Sequence, residues 1–381
     1  MKPFRLSRRR WLASGLAAGS LPALLQAGER GAGEEVPWLA DVQHLPRQLP
    51  GDSPRLSPLL VDESGRPITS LSAWQQRRGQ IRRWWLDFLK PLRVSGTGVT
   101  PVAQDPRAGT PPAFRVLAED RPEGVVRQLV RYEVEPGEPC EAYLLKPAKP
   151  SPRCPAAVVL HSTVDQTIRQ PAGVEGRPET AFGLKLAGLG YVTICPRNFL
   201  WPTDGKSFDG QQVERFARRH PGSKGMAKML YDAQVALDIL AALPEVDAHR
   251  LAAIGHSLGA KEVLYLAALD ERVKVAVSSE GGIGTAFSNW EAAWYLGPQI
   301  RQKTFGHEHH ELLALVAPRA FLLLGGDSAD GDRSWPFIEA VLPVYKLYGQ
   351  TARVGLLNHK KGHNVPPEAE RAIYEWLKAY C

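Results

Sequence analysis

Beyond residue 27 the 381-residue chain has no uninterrupted apolar run of the ~18 residues that a membrane-spanning helix needs. Cysteine is scarce. Cys140, Cys154, Cys195 and Cys381 are scattered, with no C-x-x-C pair among them. That excludes a fold held by a disulfide framework and gives no cysteine-based metal site. Cys195 lies in an apolar, strand-like run and reads as a buried hydrophobe, and a Cys140–Cys154 bridge stays open as one pairing. The 35 glycines and 32 prolines imply many loops, yet no repeat or low-complexity tract accompanies them. A real excess of positive charge is also missing. Residues 1–27 hold five of the basic residues and no acid, so without them the net charge of +7 falls to about +2. Nucleic acid is therefore not an expected partner.

What is present begins with an address. Lys2, Arg5 and the run Arg8-Arg9-Arg10 precede Trp11-Leu12 and an uncharged stretch to Ala27. A basic start, a short apolar run and small residues near a cut site describe a signal peptide. The paired arginines resemble a twin-arginine signal, which implies export of folded cargo to the periplasm or beyond. Cleavage is expected near Leu25-Gln26-Ala27. A plain secretory signal or an uncleaved anchor is the alternative.

Residues 28–112 read as an N-terminal extension packed on a catalytic domain over 113–381. Within it, Leu71, Trp74, Ile81, Trp84, Trp85 and Phe88 recur at helical spacing between Thr69 and Lys90, as a packing stripe. Pro91 is expected to end that helix. Short extended runs follow at Phe114–Leu117, Gln128–Glu135 and Ala142–Lys146. The chain then alternates. Strands are expected at 156–161, 191–195, 251–255, 273–278 and 320–325, and helices at 180–189, 225–243, 260–269 and 367–380. That order predicts an α/β fold of the α/β-hydrolase type: a mainly parallel sheet flanked by helices, with an antiparallel edge.

The sharpest motif is Gly255-His256-Ser257-Leu258-Gly259. It follows an apolar strand and opens a helix, the context in which G-x-S-x-G forms a nucleophile elbow. The turn is too tight for side chains at the two glycines. It exposes the Ser257 hydroxyl and leaves the Leu258 N–H at a helix N-terminus, where an oxyanion is stabilised. A second donor is expected in His161-Ser162-Thr163, a backbone N–H near Ser162 or Thr163, with Thr163 named as the candidate. His161 itself reads as a loop-ordering residue.

A serine nucleophile needs a base, which comes last in chain order in this fold. His363, in Gly362-His363-Asn364 before the final helix, fits, with His359 as its competitor. The acid has two candidates. Asp330 lies after the strand 320–325, where Asp327 and Asp332 read as turn formers. Glu280 lies after the strand 273–278, unless its charge is simply paired with an arginine such as Arg272. His307, His309 and His310, with Glu308 and Glu311, read as solvated or helix-start residues rather than a zinc site. No metal and no cofactor are expected.

Ser257-Leu258-Gly259-Ala260-Lys261, Asp270-Glu271-Arg272 and Glu280-Gly281-Gly282 resemble the glucuronoyl esterases and the acetyl-xylan-esterase-like and dienelactone-hydrolase-like bacterial hydrolases near them. The resemblance covers roughly 140–381. It implies that Glu280 is the triad glutamate and that Lys261 contacts sugar hydroxyls. It also implies that some members keep an acid where Asp330 stands. Two positions depart from the glucuronoyl esterase pattern: Leu258 replaces an arginine, and His256 replaces a cysteine. Trp290 and Trp294 follow the Glu280 loop and either stack on sugar or close the core, and Trp201 is a further candidate pocket residue.

The expected activity is that of a serine carboxylic-ester hydrolase acting on a small-molecule or carbohydrate ester. A peptidase related to prolyl oligopeptidases is one alternative, although the residues before the catalytic region are too few for a propeller. A non-catalytic carbohydrate-binding protein on the same fold is the other.

Overall fold

The computed structural model describes residues 35–90, 92, 112–202, 208 and 210–381. The signal expected over 1–27, and Pro91, lie outside them. Among the described residues the strands form one nine-stranded sheet. β1 (Arg115–Asp120), β2 (Val125–Glu135) and β3 (Glu138–Pro147) make its antiparallel edge. β3 pairs antiparallel with β5 (Val192–Pro196). Parallel pairing then runs through β4 (Cys154–Leu160), β6 (Val246–His256), β7 (Val273–Ser279), β8 (Ala320–Gly325) and β9 (Val354–Asn358). The order is β1-β2-β3-β5-β4-β6-β7-β8-β9.

The central strands are apolar on both faces because helices cover both. On one face α2 (Phe182–Gly188) and α8 (Pro367–Tyr380) pack Phe182, Leu186, Ile373 and Trp376 against Val159, Ile254, Val277 and Leu322. On the other lie α4 (Gly225–Ala242), α5 (Leu258–Leu269), α6 (His310–Val316) and α7 (Trp335–Lys346). A further helix, α3 (Gly210–Arg219), leads into α4.

The expected helix over Thr69–Lys90 is α1 (Leu71–Leu89), and the Ser70 hydroxyl caps it by accepting from Ala73 N. It ends at Lys90, which turns into the left-handed region at φ 49°. Trp74, Ile81, Trp85 and Leu89 are buried, and Trp85 Nε1 donates to Glu311 Oε2 at 2.8 Å, so the aromatic stripe packs against the α6 region. The segment before it docks on the other face, where Trp38 stacks on Trp376 at 5.6 Å. All four cysteines are free, so the Cys140–Cys154 pairing is not formed, and Cys195 is buried. No helix of the described residues is long and apolar enough to cross a membrane.

Candidate active site

The parallel strands β4 to β8 all run in one direction, so the loops that follow them meet at one edge of the sheet. β6 delivers Ser257 to that edge. Its backbone sits at φ 59° and ψ −115°, a strained conformation for a non-glycine residue. The two glycines explain how the turn closes. A Cβ on Gly255 would lie 2.3 Å from the Gly259 carbonyl carbon, and one on Gly259 would lie 2.1 Å from the Leu160 oxygen. Ser257 N donates to Ser279 O at 2.8 Å, which ties the elbow to β7. α5 starts at Leu258, whose side chain is buried and whose N–H, in the first turn, has no intrahelical acceptor.

β7 delivers Glu280 one strand away, also at positive φ (55°), with its side chain fully buried. One carboxylate oxygen accepts from Gly326 N. The other accepts from Ala329 N at 2.7 Å and faces His363 Nδ1 at 3.4 Å. His363 comes from the loop after β9. That loop is fixed to the end of β8, where His359 N donates to Gly325 O at 2.8 Å and Gly362 N to Gly326 O at 2.7 Å. The His363 ring lies 4.6 Å from the ring of His256, the residue just before Ser257. With Nδ1 turned to Glu280, Nε2 is the nitrogen left for a reacting proton. Burial, with the neighbouring His363 adding to it, pushes His256 down to about 3, so this inner imidazole stays neutral.

Asp330 does not face His363. It is buried, and its oxygens accept from Gly282 N at 2.7 Å, Ile283 N at 2.8 Å and Ser334 Oγ at 2.9 Å. Burial raises its pKa, with the charge of Glu280 adding to that. Asp327 and Asp332 accept from Asn358 Nδ2, each at 2.7 Å. Arg272 pairs with Asp270 and Asp238, so the arginine partner considered for Glu280 is engaged elsewhere.

Lys261 and Trp290, nominated as sugar contacts, are both buried, and each binds the backbone of the Glu280 loop. Lys261 Nζ donates to Gly281 O and lies 4.2 Å above the Trp290 ring. Trp290 Nε1 donates to Gly282 O at 2.7 Å, while Tyr265, Tyr295 and His309 surround its ring. Both side chains face inward in this structure, and Trp290 closes the core under the loop, one of the two readings its position allowed. His309 completes the arrangement: its Nδ1 meets Ile283 O at 2.6 Å and its Nε2 meets Tyr265 OH at 2.9 Å. It is the N-cap of α6 and buried, and His310, the first residue of that helix, is buried too, meeting Ser57 O at 3.0 Å, so these are helix-start residues, as one of the two readings had it, and not solvated ones. Four side chains therefore hold the backbone that follows Glu280, and sequence reading had given none of them that task.

The loop after β4 carries Thr163. His161 Nδ1 lies 2.7 Å from Ser162 O, and its Nε2 accepts from Asn198 N at 3.0 Å, which places the ring proton on Nδ1. Val164 N donates to Ser162 O as well, at 2.9 Å. Because a trans peptide sets its C=O and N–H in opposite directions, the Thr163 N–H points away from that contact. Ser162 Oγ donates to His256 O at 3.1 Å and joins the loop to the elbow. Asn198 Nδ2 donates to the buried Glu262 on α5 at 3.0 Å. Burial pushes Glu262 up to about 8, so at neutral pH it is mostly protonated.

An elbow after the central strand, with an imidazole and a carboxylate from later strands of one parallel sheet, decides the fold. The chain has the α/β-hydrolase fold. The Dienelactone hydrolase family matches residues 140–294. The YtaP protein of Bacillus subtilis (strain 168), named only as a hydrolase, is 28% identical over 277 residues, covering 68% of this chain and 90% of its own. A glucuronoyl esterase from Solibacter usitatus superposes with a TM-score of 0.64 at 18% identity, over 87% of this chain and 98% of its own. An acetyl xylan esterase from Paenibacillus sp. R4 gives a TM-score of 0.51 at 15% identity, over 91% of this chain and 100% of its own. At these identities the two structures are likenesses of fold. The chain thus resembles the glucuronoyl and acetyl-xylan esterases and the dienelactone-hydrolase-like bacterial hydrolases.

Proposed function

We propose that this chain is an exported serine carboxylic-ester hydrolase whose substrates are esters of carbohydrates. The observation that carries the reading is the contact of His363 Nδ1 with the buried Glu280 carboxylate, beside the strained elbow at Ser257. Ser257 Oγ attacks the acyl carbon while His363 Nε2 takes its proton. His363 then returns that proton to the departing alcohol oxygen, and water releases the acid by the same route. Glu280 holds the imidazole in the tautomer with the proton on Nδ1 and offsets the positive charge that forms on the ring. The N–H groups of Leu258 and Thr163 receive the oxyanion. The 3.4 Å separation is long for this contact, as is common before substrate binds. Asp330 is a positioning residue in this scheme, holding the Glu280 loop by its backbone. Lys261 and Trp290 hold the same loop. The carbohydrate part of the reading rests on the likeness to glucuronoyl and acetyl xylan esterases. The export part rests on the paired arginines before Trp11-Leu12.

Hydrolysis of p-nitrophenyl acetate and of benzyl glucuronate by the mature chain, with Ser257→Ala as control, tests the reading. Acetate turnover that the control lacks, without glucuronate cleavage, supports an acetyl-esterase-like enzyme in which Leu258 marks a specificity of its own. Glucuronate cleavage makes the missing arginine dispensable. Turnover of neither ester overturns the reading.

A further inference from the structure

We infer that His256 is a positioning residue for the base of the reaction, a buried wall that sets the angle of the His363 imidazole. The inference rests on the proposed roles of Ser257 and His363 and adds a residue to them.

Strand register brings the two histidines together. β6 and β7 are parallel, and His256 lies opposite Ser279 in their ladder. The next residue on each strand belongs to the proposed triad, Ser257 after β6 and Glu280 after β7. The inner pair is joined side chain to side chain. His256 Nδ1 lies 3.0 Å from Ser279 Oγ, and both residues are buried. Ser162 Oγ donates to His256 O at 3.1 Å, so backbone and ring are both tied. The His363 ring rests on this fixed ring, 4.6 Å away and tilted by 47°.

His363 needs such a wall. Its side chain is 41% exposed, and its contact with Glu280 is long, at 3.4 Å. The second side-chain torsion of a histidine is broad, and a lengthened hydrogen bond restrains it little. Proton transfer nevertheless needs Nε2 aimed at Ser257 Oγ while Nδ1 faces Glu280. A fixed ring against the imidazole removes part of that freedom before substrate arrives.

Packing alone does not call for an imidazole at this position. His256 Nε2 is buried and has no hydrogen-bond partner among the described residues. A buried polar atom left unpaired costs stability, and folded proteins keep few of them. An apolar ring would fill the space without that cost, but nothing would tie its plane to Ser279. The imidazole is also a neutral wall. Burial pushes it down to about 3, with His363, Arg177 and His359 adding to that, so it brings no repulsion when His363 becomes cationic during turnover.

Turnover of p-nitrophenyl acetate by the full chain, together with NMR of its histidine ring nitrogens, tests this. His256→Ala should lower kcat by about 10²-fold with KM within about twofold, because an ill-aimed base is felt in the transition state. His256→Phe keeps a ring but not its tie to Ser279, and should lose only about tenfold. Ser279→Ala keeps the imidazole and cuts the same tie from the other side, so its loss should match. Ser279→Ala combined with His256→Phe should lose no more than either alone, since both remove one contact. In the NMR spectra the parent His363 should carry its proton on Nδ1, and His256→Ala should move its nitrogen shifts toward the average of the two tautomers. Parent-like kcat in His256→Ala, equal losses in His256→Ala and His256→Phe, additive losses in the combined variant, or unmoved His363 shifts would each overturn the assignment. Absence of turnover in the parent would count against the esterase reading instead, and the His363 shifts would then decide the role of His256.

Discussion

The Asp330 carboxylate accepts the Gly282 N–H at 2.7 Å and so supports the loop that carries Glu280, whose own carboxylate faces His363 Nδ1 at 3.4 Å. The two acids should therefore fail differently. Asp330→Ala leaves the Gly282 and Ile283 N–H groups buried and unpaired. At about 1–3 kcal/mol each, urea denaturation should show a loss of roughly 2–6 kcal/mol. Glu280→Gln should lower kcat/KM on p-nitrophenyl acetate by about 10²–10⁴ through the wrong imidazole tautomer. Its urea midpoint should fall less than that of Asp330→Ala. The reverse pattern, with Asp330→Ala stable and inactive, would make Asp330 the partner of His363.

Labelling distinguishes the nucleophile from its base. A fluorophosphonate should modify the parent chain at Ser257, and Ser257→Ala should take no label. His363→Ala should keep the hydroxyl but lose its proton acceptor, so labelling should slow by at least about 10³ with the fold intact by circular dichroism. His359→Ala should label at close to the parent rate. His359 is held by Gly325 O and Lys361 N, and burial lowers its pKa, a structural setting rather than a catalytic one.

The elbow was legible because its glycines answer a local demand, the close approach of Gly255 to Gly259 and of Gly259 to Leu160. The parallel strands were legible because burial on both faces makes them apolar runs. α7 was not legible. Pro336 falls in its first turn, where a missing N–H costs little, but Pro343 lies inside it and reads as a stop. α3 was missed because Phe216 is its one buried residue, which leaves no apolar stripe to see. β9 is an edge strand whose last two residues are only half-buried, so it offers no full apolar run. The acid stayed ambiguous because Glu280 and Asp330 both follow buried strands, and only the backbone of Gly282 and Ile283 separates their tasks. The packing tasks of Lys261, Trp290 and His309 stayed hidden for a similar reason. Each binds a main-chain carbonyl, and the sequence carries no mark of that.

Lys261 makes the packing reading testable by pH. Burial pushes its amine down to about 7, while Asp330 and Glu291 pull upward. The Trp290 face and the Gly281 carbonyl also favour the cation, so the amine is balanced between its two forms near neutral pH. A lysine with a depressed pKa makes the unfolded chain bind more protons than the folded one between about pH 7 and 10. Its contribution to stability therefore rises with pH across that window. Lys261→Met has no such group. The Tm of the variant relative to the parent should fall as pH rises from about 7 to 10. A constant difference would mean that the amine stays charged in the fold.

His161 should act on turnover without titrating in the working range. Burial pushes its pKa down to about 4, against the opposing effect of its contact with Ser162 O. It is therefore neutral from about pH 5 upward, and its Nδ1 proton stays on the Ser162 carbonyl. That contact fixes the Ser162–Thr163 peptide, whose N–H the proposed mechanism assigns to the oxyanion. His161→Ala releases the peptide and should lower kcat by about 10–10², with KM nearly unchanged, because the donor acts chiefly in the transition state. His161→Asn keeps an N–H close to the position of Nδ1 and loses only the acceptor for Asn198 N, so it should recover most of the lost rate. The acid limb of the kcat/KM profile should sit at the same pH in both variants and the parent. Equal loss in the two variants would shift the role to the Asn198 side of the ring, and a displaced acid limb would mean that His161 itself exchanges a proton during turnover.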